Sequence, residues 1–292
     1  MERIKDAIEK ARRQQQQVLQ EESELVSSQP VQSEEKVIEP SSQPVESDEI
    51  KEKKEGLRKV RYRQTRVVEL DQEHLAAHRI FGHTKNNPMT ASIDLLRTQV
   101  LQKMEENNWR TLAITSPTPA SGKSVVSINL AMSIARHTQK TSMLVDFDLR
   151  RPSIAKYLGI EHYKKSLIAA LKGKAKLSEM MINPGIRHFV VLPMAKPVAN
   201  PAEALASNKV SGLIKDLRDR YDSRIVIFDL APLVGIDDAI SVLPQIDCVL
   251  MVVGNGCSTR REIEESMRLL QPMNLLGVVL NKSDEAPQGY YY

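Results

Sequence analysis

Three short segments of the 292-residue chain carry residue types that can do chemistry together. The first is Thr115-Ser116-Pro117-Thr118-Pro119-Ala120-Ser121-Gly122-Lys123-Ser124, a polar loop between an apolar run and a segment of helical period. In that setting backbone N–H groups at a helix N-terminus converge on phosphate oxygens. Ser121, Gly122, Lys123 and Ser124 are then the candidate phosphate-binding residues. Lys123 would reach the β and γ phosphates, and the Ser124 hydroxyl would bind Mg²⁺. The full pattern G-x-x-x-x-G-K-[ST] is not met, because Pro117 stands where its first glycine belongs.

The second segment is Met143-Leu144-Val145-Asp146-Phe147-Asp148-Leu149-Arg150. Buried charges are costly unless paired or metal-bound. Asp146 and Asp148 alternating at the end of an apolar run therefore point to a Mg²⁺ site or a general base. In the third segment, Val226-Ile227-Phe228-Asp229-Leu230-Ala231-Pro232, another apolar run ends in an aspartate, with Asp237 and Asp238 close behind. In phosphate-loop proteins such an aspartate orders the metal shell. A further run ends Leu280-Asn281-Lys282-Ser283-Asp284, similar to the guanine-reading N-K-x-D signature. Asn281 can equally contact adenine, so the base stays open. The chain ends Gly289-Tyr290-Tyr291-Tyr292, either a phosphoacceptor cluster or an incidental aromatic tail on a mobile terminus.

These segments need elements to position them. Apolar, β-branched runs predict strands at about 112–115, 143–146, 189–192, 225–229, 249–253 and 277–280. Helical periods predict helices near 124–136, 202–221 and 259–270. Strands alternating with helices imply an α/β fold with a mainly parallel sheet covered on both faces, and the candidate phosphate loop between a strand and a helix makes a P-loop NTPase the expected fold. Ligands bind such sheets at the carboxyl ends of the strands, where every candidate above falls.

Ahead of this domain the composition changes. Residues 1–20 have a thin apolar stripe of Ile4, Ala7, Ile8 and Ala11, read as a partner-docking helix or a solvated one. Residues 21–66 are rich in Glu, Ser, Gln, Pro and Lys and read as a disordered linker, closing in a basic cluster from Arg58 to Arg66. The folded domain is expected over 67–286 and the tyrosine tail over 287–292. A net charge of +4 with 4% aromatic residues argues against nucleic acid as a partner. Two cysteines give no disulfide framework and fit a reducing cytosol. No apolar run approaches the roughly 20 residues that span a bilayer, so membrane contact is expected through a partner.

Taken together, the segments resemble the bacterial tyrosine kinase family, cytoplasmic phosphate-loop proteins tied to capsule and exopolysaccharide synthesis. The family's three apolar residues followed by D-x-D-x-R are matched by Met143–Arg150, and its apolar-D-x-x-P pattern by Val226–Pro232. Asn200-Pro201-Ala202-Glu203, Gly277–Lys282 and the tyrosine tail resemble further family motifs. Residues 67–82 and the basic N-terminal helix look like the exosortase-associated subgroup. The resemblance implies that Lys123 binds ATP phosphates and that Ser124, Asp148 and Asp229 serve Mg²⁺. It implies that Asp146 assists deprotonation of the incoming hydroxyl and that Tyr290, Tyr291 and Tyr292 accept phosphate. It also implies an inner-membrane chain-length-determinant or activator protein as partner, and a homo-oligomer.

The chain departs from the family at several places. Ala120 replaces a loop glycine, a strained choice if the position needs positive φ. The family's E-x-x-R-x-x-R helix keeps only Arg97, with Ala91 and Asp94 at the other two positions. Leu230 and Ala231 replace the common Thr-Pro. Two other readings stand beside the kinase: a partition-type ATPase, and a degenerate nucleotide-binding adaptor.

Overall fold

The computed structural model describes residues 66–84, 88–137, 140–160, 167–171, 175–220 and 223–283. The expected N-terminal helix, residues 21–65 of the expected linker, Asp284 and Tyr290–Tyr292 lie outside these residues; Arg66, expected as the last linker residue, instead belongs to the first strand with Val67.

Eight strands form one sheet in the order β1-β4-β5-β3-β6-β2-β7-β8. They are β1 (Arg66–Val67), β2 (Thr111–Thr115), β3 (Thr141–Asp146), β4 (Ile182–Asn183), β5 (Phe189–Leu192), β6 (Arg224–Asp229), β7 (Cys248–Gly254) and β8 (Leu275–Asn281). All pairings are parallel except β4 with β5. The four central strands β3, β6, β2 and β7 are buried along their whole length. This is why their sequences read as continuous apolar runs rather than alternating ones. Burial of the Cys248 thiol in β7 pushes its pKa up to about 12, the behaviour of an inert core group.

Side-chain alternation along the strands feeds two cores. Ile114, Leu144, Ile227 and Leu250 face helices Lys123–His137 and Pro88–Glu106, meeting Leu130, Ile134, Val100 and Met104. Met143, Val145, Phe228 and Met251 face the other way, against Val210, Ile214 and Leu217 of helix Asn208–Asp219 and Leu270 of helix Arg260–Leu270. The second of these helices opens on a Thr259–Glu262 capping box.

One expected helix is two. Instead of a continuous helix over 202–221, Pro201–Leu205 and Asn208–Asp219 are separated by Ala206 and Ser207. Ser207 takes an extended ψ of 145° and turns its hydroxyl back to the Ala204 carbonyl at 2.7 Å. A serine competing locally for backbone partners favours a helix boundary over a helix interior.

The helix Pro88–Glu106 is tied to Lys123–His137 by Asp94. Its carboxylate accepts two bonds from Arg136 (2.7 and 2.9 Å), one from Ser133 (2.6 Å) and one from Arg97 (3.0 Å). The charge-reversed position of the family motif is thus used within the chain. No helix among the described residues is long and apolar enough to cross a membrane.

Candidate nucleotide site

The site lies at the carboxyl ends of the central strands, where register decides which aspartates meet. β3 and β6 run parallel in a register that makes Asp146 and Asp229 cross-strand partners at their last residues. Ile114, one residue before the end of β2, is also level with Asp229. The loop after β2 therefore passes over both carboxylates before the helix begins at Lys123.

Hydroxyls shape that loop from within. Ser116 and Ser121 both donate to the Thr118 carbonyl at 2.9 Å. Ala120 takes φ 63°, the left-handed conformation expected if the family glycine had a conformational purpose. Such a backbone costs an alanine roughly 1–2 kcal/mol. Gly122 is required twice over: its φ is 89°, and a Cβ there would lie 2.2 Å from the Asn281 amide nitrogen. That nitrogen donates to the Ser121 carbonyl at 2.9 Å, so Asn281 fastens the end of β8 to the phosphate loop.

Lys123 sits among carboxylates. Its Nζ is 2.8 Å from Asp148 Oδ2 and 3.6 Å from Asp229 Oδ2. Burial alone would lower its pKa, but Asp229, Asp148 and Asp146 outweigh burial and hold it above the usual lysine value. Ser124 donates to Asp229 Oδ2 at 2.6 Å, and Ser127, one turn further along the helix, shares its single proton between the Lys123 carbonyl at 2.9 Å and Asp229 Oδ1 at 3.1 Å. Asp148 also accepts from the Arg151 amide at 2.9 Å.

Asp146 is treated differently. Its Oδ2 accepts from the backbone amides of Ser153 and Ile154, each at 3.0 Å, while its buried Oδ1 has no partner. Burial, then repulsion from Asp229, raises its pKa well above the ordinary carboxyl value. Burial raises Asp229 too, against the opposing pull of Lys123 and Ser124. Arg150, in the wall of the same cavity as Asp148, makes a two-point pair with the fully buried Asp238, at 2.8 and 3.0 Å.

A cavity of about 290 Å³ opens over this cluster, lined by Gly122, Lys123, Ser124, Asp148, Arg150 and Val234 among others. The Ser124 hydroxyl and the Asp148 carboxylate at this cavity suit a hard, oxygen-seeking cation such as Mg²⁺. No three acidic, histidine or cysteine side chains among the described residues converge as a metal cage.

The structure brings Ser121, Gly122, Lys123, Ser124, Asp146, Asp148 and Asp229 together. It sets Asn281 against the loop backbone, and it says nothing of Tyr290–Tyr292. Ser127, Ser153 and Asp238 were not singled out as site residues by sequence reasoning. Ser127 falls four residues after Lys123 in a helix, a spacing that could have placed it on the same face. Ser153, whose hydroxyl donates to Ser124 at 3.0 Å, carries no comparable signal.

A parallel sheet flanked by helices, with a lysine and a serine opening the helix after a central strand, defines a P-loop NTPase fold, a nucleotide-binding architecture. No protein-family model matches the chain. Among curated proteins, tyrosine-protein kinase CpsD of Streptococcus pneumoniae serotype 4 is 30% identical over 64% of this chain and 82% of its own length. Tyrosine-protein kinase etk of Escherichia coli K12 is 31% identical over 67% of this chain, which spans only 27% of that longer relative. Among solved structures, the kinase domain of Escherichia coli tyrosine kinase ETK superposes with a TM-score of 0.62 at 28% identity, over 78% of this chain and 93% of that domain. The chain belongs to the bacterial tyrosine-protein kinase family.

Proposed function

We propose that the chain is an ATP-dependent protein-tyrosine autokinase, acting at the cytoplasmic face of the inner membrane with a chain-length-determinant or activator protein in exopolysaccharide synthesis. The observation that carries this reading is the asymmetry around Lys123. One carboxylate, Asp229, is held by hydroxyls and by Lys123, while its cross-strand partner Asp146 keeps a buried oxygen without a hydrogen-bond partner among the described residues.

Bound ATP would supply the phosphoryl group and bound Mg²⁺ the positive charge that screens it. Ser121 and Gly122 offer backbone amides to phosphate oxygens, and Lys123 exchanges its contact with Asp148 for one with phosphate. Ser124, Asp148 and Asp229 would hold the Mg²⁺ shell. Asp146 Oδ1, raised in basicity by burial, takes the proton of an incoming tyrosine hydroxyl. Asn281 secures the loop that meets the nucleotide. Tyr290, Tyr291 and Tyr292 are the acceptors, offered by the same molecule or by a neighbour in a homo-oligomer.

Removal of Tyr290–Tyr292 separates this reading from simple ATP hydrolysis. With [γ-³²P]ATP and Mg²⁺, the full chain should incorporate label into protein and the truncated chain should not. Equal phosphate release from both chains, with no label in either, would support the partition-type ATPase instead.

A further inference from the structure

Ser153 stands at the start of the short helix Ile154–Tyr157 without capping it. A serine in that place normally turns its oxygen back to accept a backbone amide of the first helical turn. Here the Asp146 carboxylate accepts the amides of Ser153 and Ile154, each at 3.0 Å, and the serine side chain makes no cap bond. The Ser153 hydroxyl is free to reach another element instead. It meets the Ser124 hydroxyl at 3.0 Å, across 29 residues of sequence, and both serines line the cavity over the phosphate loop.

The protons fix the direction of this bond. A hydroxyl carries one proton and two lone pairs. Ser124 places its proton on Asp229 Oδ2 at 2.6 Å, so Ser153 is the donor between the two serines. Lys123 Nζ approaches Ser124 Oγ from 3.4 Å, a long contact beside its 2.8 Å bond to Asp148. Once Lys123 turns to phosphate, one lone pair of Ser124 is left for a cation. The bond to Asp229 ties the Ser124 oxygen to the end of β6, and the bond from Ser153 ties it to the loop after β3. Two anchors on different strands hold the side chain in one rotamer, where a single bond would let the oxygen shift.

We propose that Ser153 is a positioning residue of the nucleotide site, whose hydroxyl holds the Ser124 oxygen in a single orientation with one lone pair left for Mg²⁺. The inference rests on the reading of Ser124 as a Mg²⁺ ligand. Partners that orient a metal ligand from behind act on metal affinity without touching the metal. Ser153 also fixes Asp146 through its backbone amide, so one residue sets the spacing between the proposed base and a proposed metal ligand. Ser153→Ala removes only the hydroxyl and leaves the amide on Asp146, which separates the two roles.

The test is calorimetric titration of the full chain with ADP, once in excess Mg²⁺ and once in a metal chelator. The ratio of the two affinities is the Mg²⁺ enhancement. Wild type should show an enhancement, and Ser153→Ala should keep the metal-free affinity while losing about three- to tenfold of it, the effect of one neutral hydrogen bond. Ser153→Thr, which retains the hydroxyl, should restore it. In a Ser124→Ala background, Ser153→Ala should have no further effect, because the group it positions is gone.

An unchanged enhancement in Ser153→Ala would overturn the proposal. So would an equal loss with and without metal, which marks a merely structural role, or a Ser153→Thr variant no better than Ser153→Ala. A further loss in the Ser124→Ala background would show that Ser153 acts independently of Ser124, again overturning it. Absence of any Mg²⁺ enhancement in wild type would instead overturn the metal-site reading itself, and the proposal with it.

Discussion

Asp146 and Asp229 are cross-strand partners at the ends of β3 and β6, yet only Asp229 has both oxygens hydrogen-bonded. Ser124 and Ser127 fix Asp229 on the phosphate-loop helix, so its carboxylate is a positioned ligand. Asp146 receives two backbone amides on one oxygen and keeps the other buried without a hydrogen-bond partner among the described residues. Two equivalent aspartates in sequence are thereby given different chemistry, one to hold and one to react.

That difference has a stability consequence. The folded Asp146 carboxyl binds its proton more tightly than the unfolded one, whose pKa is near 3.8. Folding stability therefore falls as pH rises from that value through the raised folded value. Asp146→Asn keeps an oxygen for the Ser153 and Ile154 amides and removes the buried charge. Urea unfolding should find the variant more stable than wild type near pH 8, with the gap narrowing toward pH 4. A gap that does not change over this range would contradict the assignment.

Lys123 neutralises the acids and, on the proposed reading, grips phosphate. Lys123→Ala should lower affinity for a nonhydrolysable ATP analogue about 10–100-fold, the loss of one hydrogen bond to a charged group. It should also destabilise the free protein by about 3 kcal/mol, because Asp148 and Asp229 lose their buried partner. Calorimetric titration and denaturant unfolding read the two effects separately. Unchanged affinity would instead favour the adaptor reading.

Ala120 should be tolerant in one direction only. Ala120→Gly removes the left-handed strain but adds unfolded-state freedom, so stability should change by about 1 kcal/mol or less. Ala120→Val forces a β-branched residue into φ 63° and should cost about 2 kcal/mol or more, with weaker nucleotide binding. Equal melting temperatures for the two variants would argue against this loop geometry.

Gly122 and Asn281 should couple. Gly122→Ala places a Cβ 2.2 Å from the Asn281 amide nitrogen, and Asn281→Ala clears that space while losing the bond to the Ser121 carbonyl. The double variant should be less damaged than the sum of the singles by about 1 kcal/mol, with the φ 89° strain remaining. Strict additivity in a double-mutant cycle would mean that the two residues do not meet.

Much of this arrangement is legible in the sequence for a physical reason. The buried central strands are continuous apolar runs, and each of the runs ending at Asp146 and Asp229 stops where the charge begins. What is not legible depends on contacts between distant segments. The two-residue strands β1 and β4 are too short to carry a period. The break at Ser207 depends on one hydroxyl choosing a local carbonyl. The pairing of Arg150 with Asp238 joins residues 88 apart, and the approach of Asn281 to Gly122 joins opposite ends of the domain. Asn281 alone reads as a base-contacting residue; only the register of β8 beside β7 brings it to the loop.

The most direct measurement is phosphotyrosine mapping by mass spectrometry after incubation with ATP and Mg²⁺, with and without a candidate membrane activator. Wild type should carry phosphate on Tyr290, Tyr291 or Tyr292, increased by the activator, and Lys123→Ala should carry none. A wild-type chain that binds ATP but gains no phosphotyrosine even with its activator present would contradict the kinase assignment.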